Sequence, residues 1–385
     1  SNGAAVSAFN PNIDLAVYAL ALTSDNTKVY AGGNFTSVGG DGSFGGVAAI
    51  ITSDGSAVSA FKPIFTTGNI RTLALKSDAS ILYVGGSFTR TNGSSSYRNL
   101  AAVTTVDGLR VDSFAFSPTI SPSTYVYSIA LSSDENSLYM GGDFTSINGI
   151  TYNRFALVDS TNATASTTFN PDMNGTVSAI TKSSDGLRLY VSGSFTTVGG
   201  ITYNRLVSFT TLNGAIVSSF SPNLNTSGGL VSNALSSDNS NLYLGTNGSL
   251  LVNGGIRNYL ASINNIGTVL NSFNPNLDNT VYTLSLSPTG SILYAGGSFT
   301  TVAGATRNRL TAIATSDGTA SSTFNPNFNN IVRSLDISLD GSTIYAGGDF
   351  TTVNGSTRNY LTAVTTSDGT ASTTFNPNFN DTVNS

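Results

Sequence analysis

Residues 343–375 read TIYAGGDFTTVNGSTRNYLTAVTTSDGTASTTF. Thr343 to Phe350 is rich in β-branched and aromatic residues, the composition of a strand. Asn354-Gly355 marks a loop, Tyr360 to Thr365 a further strand, and Ser367-Asp368-Gly369 another turn. Thr370 to Phe375 makes a short last strand, which Asn376-Pro377-Asn378 ends because proline cannot donate to a ladder. Upstream, Ile331 to Ile337 alternates imperfectly with period two, and Asp340-Gly341 closes a tight turn. The stretch thus predicts four short antiparallel strands. No segment sustains a 3.6-residue period, so almost no helix is expected.

The same pattern recurs along the whole chain. A Phe-x-Pro theme occurs at Phe9, Phe61, Phe116, Phe169, Phe220, Phe273, Phe324 and Phe375, spaced by 51 to 55 residues. A Tyr-x-Gly-Gly theme falls between them at Tyr30, Tyr83, Tyr139, Tyr190, Tyr243, Tyr294 and Tyr345, with Ser192 and Thr246 as the departures from glycine. Four strands in roughly fifty residues make one propeller blade. The expectation is an all-β, seven-bladed β-propeller in a single domain over residues 1–385, with blades starting near 13, 66, 121, 174, 226, 278 and 329. A closed ring also protects strand edges. A β-solenoid is the competing architecture. Residues 1–19 align without gaps on 367–385, which leaves one surplus fourth strand, at 4–9 or 370–375. The expectation is a segment of a longer chain; the alternative is donation of the spare strand to a neighbouring molecule.

The string LYAGGSFTTVAGATRNRLTAI (293–313), followed by DGTASSTFNPN (317–327), and its relatives resemble the bacterial delta-sixty-repeat β-propellers of very large secreted and surface proteins. The resemblance covers essentially the whole chain. It implies a propeller and an extracellular setting, and it carries no catalytic residues.

Composition excludes several functions. The chain of 385 residues has neither histidine nor cysteine. That removes imidazole acid–base chemistry, Ser-His triads, thiol nucleophiles, disulfides, and zinc or iron–sulfur sites built on these residues. Only 10% of residues are charged, 16 basic against 21 acidic, with the basic ones scattered. No nucleic-acid-binding stripe is expected. No apolar run is long enough for a membrane helix, so no direct membrane insertion is expected. Asparagine sequons such as those at Asn92, Asn162, Asn174 and Asn354 arise from composition and permit glycosylation without indicating it.

Blade packing is the expected role of the paired glycines Gly32, Gly33, Gly85, Gly86, Gly141, Gly142, Gly296, Gly297, Gly347 and Gly348. It is also expected of Arg98, Arg154, Arg205, Arg257, Arg307 and Arg358, each beside an asparagine and each tying its blade to the next. A ring of guanidinium groups gripping anionic glycans is the functional alternative for these arginines. Aspartates in the recurring turns are expected to close Asx-turns, with Asp134-Glu135 the candidate for a structural calcium ion. No other cofactor is expected. Tyr97, Tyr125, Tyr152, Tyr203 and Tyr259 are the candidate contacts for a glycan or partner, as exposed aromatic platforms. Asp143 and Asp349 follow glycine pairs and are the acids an enzyme would use, although nothing marks them as a catalytic pair.

The reading is a non-enzymatic structural or adhesive module of a large extracellular surface protein, appendage or filament. Its partners would be other domains or copies of the same protein, and cell-surface glycans. Avidity from many weak polar contacts would supply binding, and a low-charge surface makes such contacts insensitive to salt. The alternatives are a lectin-like propeller, a viral fibre component and, last, a polysaccharide-acting hydrolase or lyase.

Overall fold

The computed structural model describes residues 11–63, 65, 67–92, 95–114, 124–226, 228–252, 255–338, 340–373, 375–376 and 382–384. Every regular element among them is a strand. They form six three-stranded antiparallel sheets, one four-stranded sheet and four separate two-stranded hairpins. In the seventh repeat Val332–Ile337 pairs with Thr343–Gly348, which pairs with Leu361–Thr365. A side hairpin, Thr352–Val353 with Ser356–Thr357, follows the second strand. Its turn residues Asn354 and Gly355 have φ of 49° and 77°. These are the two left-handed positions of a type I′ hairpin, where asparagine and glycine are least strained. In the second and fifth repeats this hairpin merges with the sheet, giving the long strands Ile81–Asn92 and Asn241–Val252.

The expected fourth strand is not a strand. In each repeat it contracts to one antiparallel bridge, such as Val364 to Ala371 or Ile313 to Ala320. Thr365 N–H donates to Thr370 O and Ser372 N–H to Ala363 O, after which the Ser372 hydroxyl oxygen accepts the Phe375 N–H. That last bond bends the chain and turns the phenylalanine inward. The other spare-strand candidate, 4–9, lies outside the described residues.

The two sequence themes meet in the core. Each tyrosine of Tyr-x-Gly-Gly packs edge-on against a phenylalanine of its own repeat. The pairs are Tyr30–Phe61, Tyr83–Phe114, Tyr139–Phe169, Tyr190–Phe220, Tyr243–Phe273, Tyr294–Phe324 and Tyr345–Phe375, with ring centroids 5.3–5.8 Å apart. In the second pairing the sequence points to Phe116, which lies outside the described residues, and the structure uses Phe114. Phe114 is two residues earlier and 2% exposed, and it follows the Val103–Arg110 bridge by the same four residues that separate Ala57 from Phe61.

Each pair sits between two consecutive sheets. Tyr83 and Phe114 cluster with Val126, Leu138 and Met140 of the following repeat, and the Tyr83 hydroxyl donates to Ser160 O there, at 2.8 Å. The same arrangement joins Tyr30 and Phe61 to Leu82 and Val84, and Tyr294 and Phe324 to Val332 and Ile344. Leu20 and Leu22 of the first repeat are each 52% exposed, whereas their counterparts Leu73, Leu75, Leu284 and Leu286 pack into seams. At the far end Tyr345 and Phe375 are only half-buried.

This gradient makes a comparison. Phe324→Ala opens a fully enclosed seam and should cost about 3–5 kcal/mol. Phe375→Ala, at the half-covered pair, should cost less than half of that. Urea unfolding of the two variants measures the difference, and equal losses would show the seventh seam to be as closed as the sixth.

Candidate functional site

The paired glycines do two different jobs. A Cβ on the first would strike the following repeat. At Gly296 it would lie 2.7 Å from Val332 Cγ1, at Gly32 2.7 Å from Ile70 Cγ2, and at Gly85 3.0 Å from Val126 Cγ1; Gly141 meets Val177 in the same way. A Cβ on the second glycine would overlap a carbonyl of its own repeat. The carbonyls are Ala16 O at Gly33, Asn69 O at Gly86, Tyr125 O at Gly142, Thr280 O at Gly297 and Ile331 O at Gly348. Most of those carbonyls accept the N–H of the residue after the glycine, as Ile331 O does from Asp349 at 2.9 Å. Gly347 faces Val383, which occupies the place that Val332 takes beside Gly296.

The fourth repeat tests the first job. Ser192 stands in the first glycine's place, buried. The strands Val177–Lys182 and Leu230–Leu235 on either side of it enclose a cavity of about 80 Å³ lined by Ser178, Ser192 and Leu230, and are tied by a 2.6 Å bond from Thr181 Oγ1 to Asn233 Oδ1.

The first strands of most consecutive repeats contact one another, so they share one edge of the array. Each carries a bulge opposite its glycine pair, between Val17 and Ala19 in the first repeat and between Val332 and Ser334 in the seventh. A bulge re-aims the extra side chain. The bulged residues are Tyr18, Arg71, Tyr127, Ser178, Val231, Tyr282 and Arg333. Two groupings stand out in this row. Arg71 Cζ lies 4.3 Å from the Tyr18 ring centroid and 5.9 Å from that of Tyr125, which stacks on Tyr127 at 5.2 Å. Arg333 lies 5.7 Å from the Tyr282 ring and forms two 2.7 Å bonds to Asp349, Nε to Oδ1 and Nη2 to Oδ2. Burial first, then the nearby Asp143 carboxylate, raises the Tyr127 phenol and keeps it neutral.

The five predicted tyrosines do not form one platform. Tyr152 and Tyr203 are 2% and 8% exposed, so they offer no stacking face, and the Tyr152 hydroxyl donates to Ser166 O at 3.1 Å. Tyr97 occupies the equivalent station, opposite Arg90 in the ladder. Tyr259 sits at a left-handed residue within the strand Gly255–Asn264, with φ of 62°. Only Tyr125 belongs to the bulge row's neighbourhood. The row escaped sequence reading because the bulge shifts the strand period by one.

The arginines also separate. Arg257, Arg307 and Arg358 share the station of Tyr152 and reach the same acceptor position: Asn271 Oδ1 at 3.0 Å, Ser321 O at 2.7 Å and Ser372 O at 2.7 Å. Arg154 and Arg205 take the left-handed station, with φ of 68° and 66°, where their N–H groups bond Phe144 O and Phe195 O. Arg98 lies opposite Thr89. Among the described residues the hydrogen bonds of these side chains stay within their own repeats, so the expected arginine tie between blades is corrected. The neighbouring asparagine also stays within its repeat, tying the third strand to the segment that leads into the next one: Asn153 Nδ2 donates to Asp172 Oδ1 at 2.6 Å, and Asn204, Asn258 and Asn308 act alike on Asn223, Asn276 and Asn327. A shallow cleft of about 400 Å³ includes the Asn153–Asp172 pair and Arg154.

Asp143 accepts the Tyr125 N–H at 2.5 Å, and Asp349 is held by Arg333. They belong to the third and seventh repeats, each engaged locally, and do not form an acid pair. Asp134 accepts from Ser132 Oγ and from the backbone and side-chain nitrogens of Asn136, while Glu135 accepts the Ser77 N–H of the preceding repeat. Among the described residues no group of three or more carboxylates is placed to hold a metal ion.

A family model described as a domain of unknown function (DUF5122) beta-propeller matches residues 340–375. The repeat is of the β-propeller type. That span runs from the Asp340 turn to the phenylalanine that enters the seam, and so covers the seventh repeat after its first strand. No curated protein matches the chain.

Three predictions follow from these stations. Gly296→Ala regains about 0.5–1 kcal/mol of backbone entropy but incurs about 1–3 kcal/mol of overpacking, so a net loss is expected in urea unfolding. Calcium at millimolar concentration should leave the melting temperature unchanged, because Asp134 is already occupied by its own turn. The turn hydroxyls of Thr23, Ser236 and Ser338 hold Asp25, Asp238 and Asp340 down at about 2. Depressed carboxylates stabilise the fold above their unfolded value of about 3.9 and lose that effect as pH falls toward 2. Melting temperature against pH should therefore drop below pH 4, and Asp238→Ala should flatten the drop.

Proposed function

We propose that the chain is a seven-bladed, non-enzymatic propeller module of a large extracellular surface protein, of the delta-sixty-repeat kind, acting structurally or adhesively. The observation that carries this reading is the seam. The same Tyr–Phe contact recurs seven times, and the two end repeats present complementary halves of it: Leu20 and Leu22 at one end, Tyr345 and Phe375 at the other. Docking those halves in one molecule closes a ring. Docking them between copies or neighbouring domains builds an array. Val17 and Val383 are equivalent residues competing for the slot beside Gly347, and that competition selects between the two outcomes. The turn aspartates and many of the blade polar groups are saturated internally, which suits a scaffold better than a reaction centre.

A second reading, a carbohydrate-binding propeller, is favoured by the tyrosines flanking Arg71. A polysaccharide hydrolase or lyase is tested by an activity panel with Asp143→Asn and Asp349→Asn as controls.

Small-angle scattering with sedimentation over a concentration range tests the main reading. A closed monomer of this length has a radius of gyration of about 21 Å. Growth with concentration that Leu20→Asp with Leu22→Asp abolishes supports the array. A monomer much more extended than 21 Å overturns both forms. Protection of the chain from protease added to intact source cells overturns the surface assignment.

A further inference from the structure

We propose that Arg71 binds the carboxylate of an acidic sugar, a uronate, between the rings of Tyr18 and Tyr125. The inference deepens the carbohydrate-binding reading and does not depend on ring closure, because its residues all lie in the first three repeats.

The chain places an arginine on the bulge twice and treats the two differently. Sixteen residues after Arg333 stands Asp349, which clamps its guanidinium through two 2.7 Å bonds. Sixteen residues after Arg71 stands Ser87. Arg71 makes no ion pair among the described residues, and its buried Nε has no hydrogen-bond partner. Arg71 is only half-buried, and its two Nη nitrogens are not among the buried atoms that lack a partner. A guanidinium edge presents two parallel donors that match a carboxylate. Asp349 shows, within this molecule, the kind of group that satisfies a bulge arginine.

The surroundings select a sugar over a bare anion. Tyr18 faces the guanidinium at 4.3 Å, and the stacked Tyr125–Tyr127 pair lies on its other side. With the guanidinium and the Tyr125–Tyr127 stack taking up these faces, the exposed parts of the half-buried rings are what a pyranose C–H face would meet. Asp143, bonded to the Tyr125 N–H, is an acceptor for sugar hydroxyls. Its charge also disfavours a doubly charged phosphate and tolerates a single carboxylate. The neutral Tyr127 phenol remains a donor. One partly exposed ion pair with flanking rings predicts weak affinity, a Kd of about 1 mM per site, strengthened on a polymer by repetition.

The experiment is a calorimetric or NMR titration of the whole chain with trigalacturonate at low salt. Neutral galactotriose, sodium acetate and a short Asp-rich peptide are the comparison ligands. Saturable binding of trigalacturonate is expected, with acetate and the peptide at least tenfold weaker and galactotriose silent. Arg71→Gln should lower the affinity at least tenfold. Ser87→Asp should do the same by supplying Arg71 with an internal carboxylate, as Asp349 does for Arg333, while the thermal melt is kept. Absence of saturable binding to the parent protein overturns the proposal, as does binding that survives both substitutions. Acetate or peptide binding as tight as trigalacturonate removes the sugar assignment and leaves a carboxylate or acidic-segment site. None of these outcomes alters the scattering result, so failure of this site and failure of the module reading are separable.

Discussion

The structure depends on an aromatic ring that crosses a seam. A tyrosine on the middle strand of each sheet packs on the phenylalanine that ends its repeat, and together they enter the next repeat's apolar layer. Each sheet has three or four strands and two apolar faces, as Leu82 and Val84 join the preceding repeat while Tyr83 joins the following one, so it cannot cover both faces alone. The edge-on pair contributes about 0.5–1.5 kcal/mol beyond its burial. Its larger effect is to make stability a property of neighbours, as in repeat proteins generally. The glycine before each seam follows from this, since the approach of the next strand leaves no space for a Cβ. So does the bend at Ser372 and its equivalents, which turns the phenylalanine in.

Side-chain saturation is the second theme. With a tenth of its residues charged, the chain closes turns with short polar groups. Aspartate carboxylates accept two or three bonds from the turn they occupy, which both fixes the turn and removes them from other chemistry. The repeat stations accept alternatives that reach one acceptor: a tyrosine hydroxyl at Tyr152, a guanidinium at Arg307. Against this background Arg71 is unusual, because it lies against ring faces and makes no ion pair among the described residues.

Much of the fold was legible in the sequence because a repeat multiplies weak signals. Strand composition, the Asn354-Gly355 turn and the Tyr-x-Gly-Gly theme each recur often enough to be read. The failures share a cause, which is that linear spacing does not reveal register. Phe116 satisfied the Phe-x-Pro motif, but Phe114 had the right distance from the bridge. The Arg-Asn dipeptides looked equivalent, yet a shift of one or two residues put them at three stations. Tyr152 and Tyr203 looked like surface aromatics because Arg307 and Arg358, which hold the same station, are polar. The bulge row was invisible, since each bulge resets the alternation that would have exposed it. The single fourth-strand bridge was over-read as a strand because its composition matches one.

Ser192 gives the array an asymmetry that the sequence repeat conceals. Where other seams close on a glycine, this one keeps a small void between its first strands, bridged there by the Thr181–Asn233 bond, while Ser184 and Arg188 tie it farther out. Voids forfeit dispersion contacts and lower the resistance of a junction to distortion. Four repeats therefore lie on one side of a compliant joint and three on the other. Under tension or shear, strain will collect at that joint before it reaches the seams whose first strands touch, and the molecule will yield there as two stiff segments.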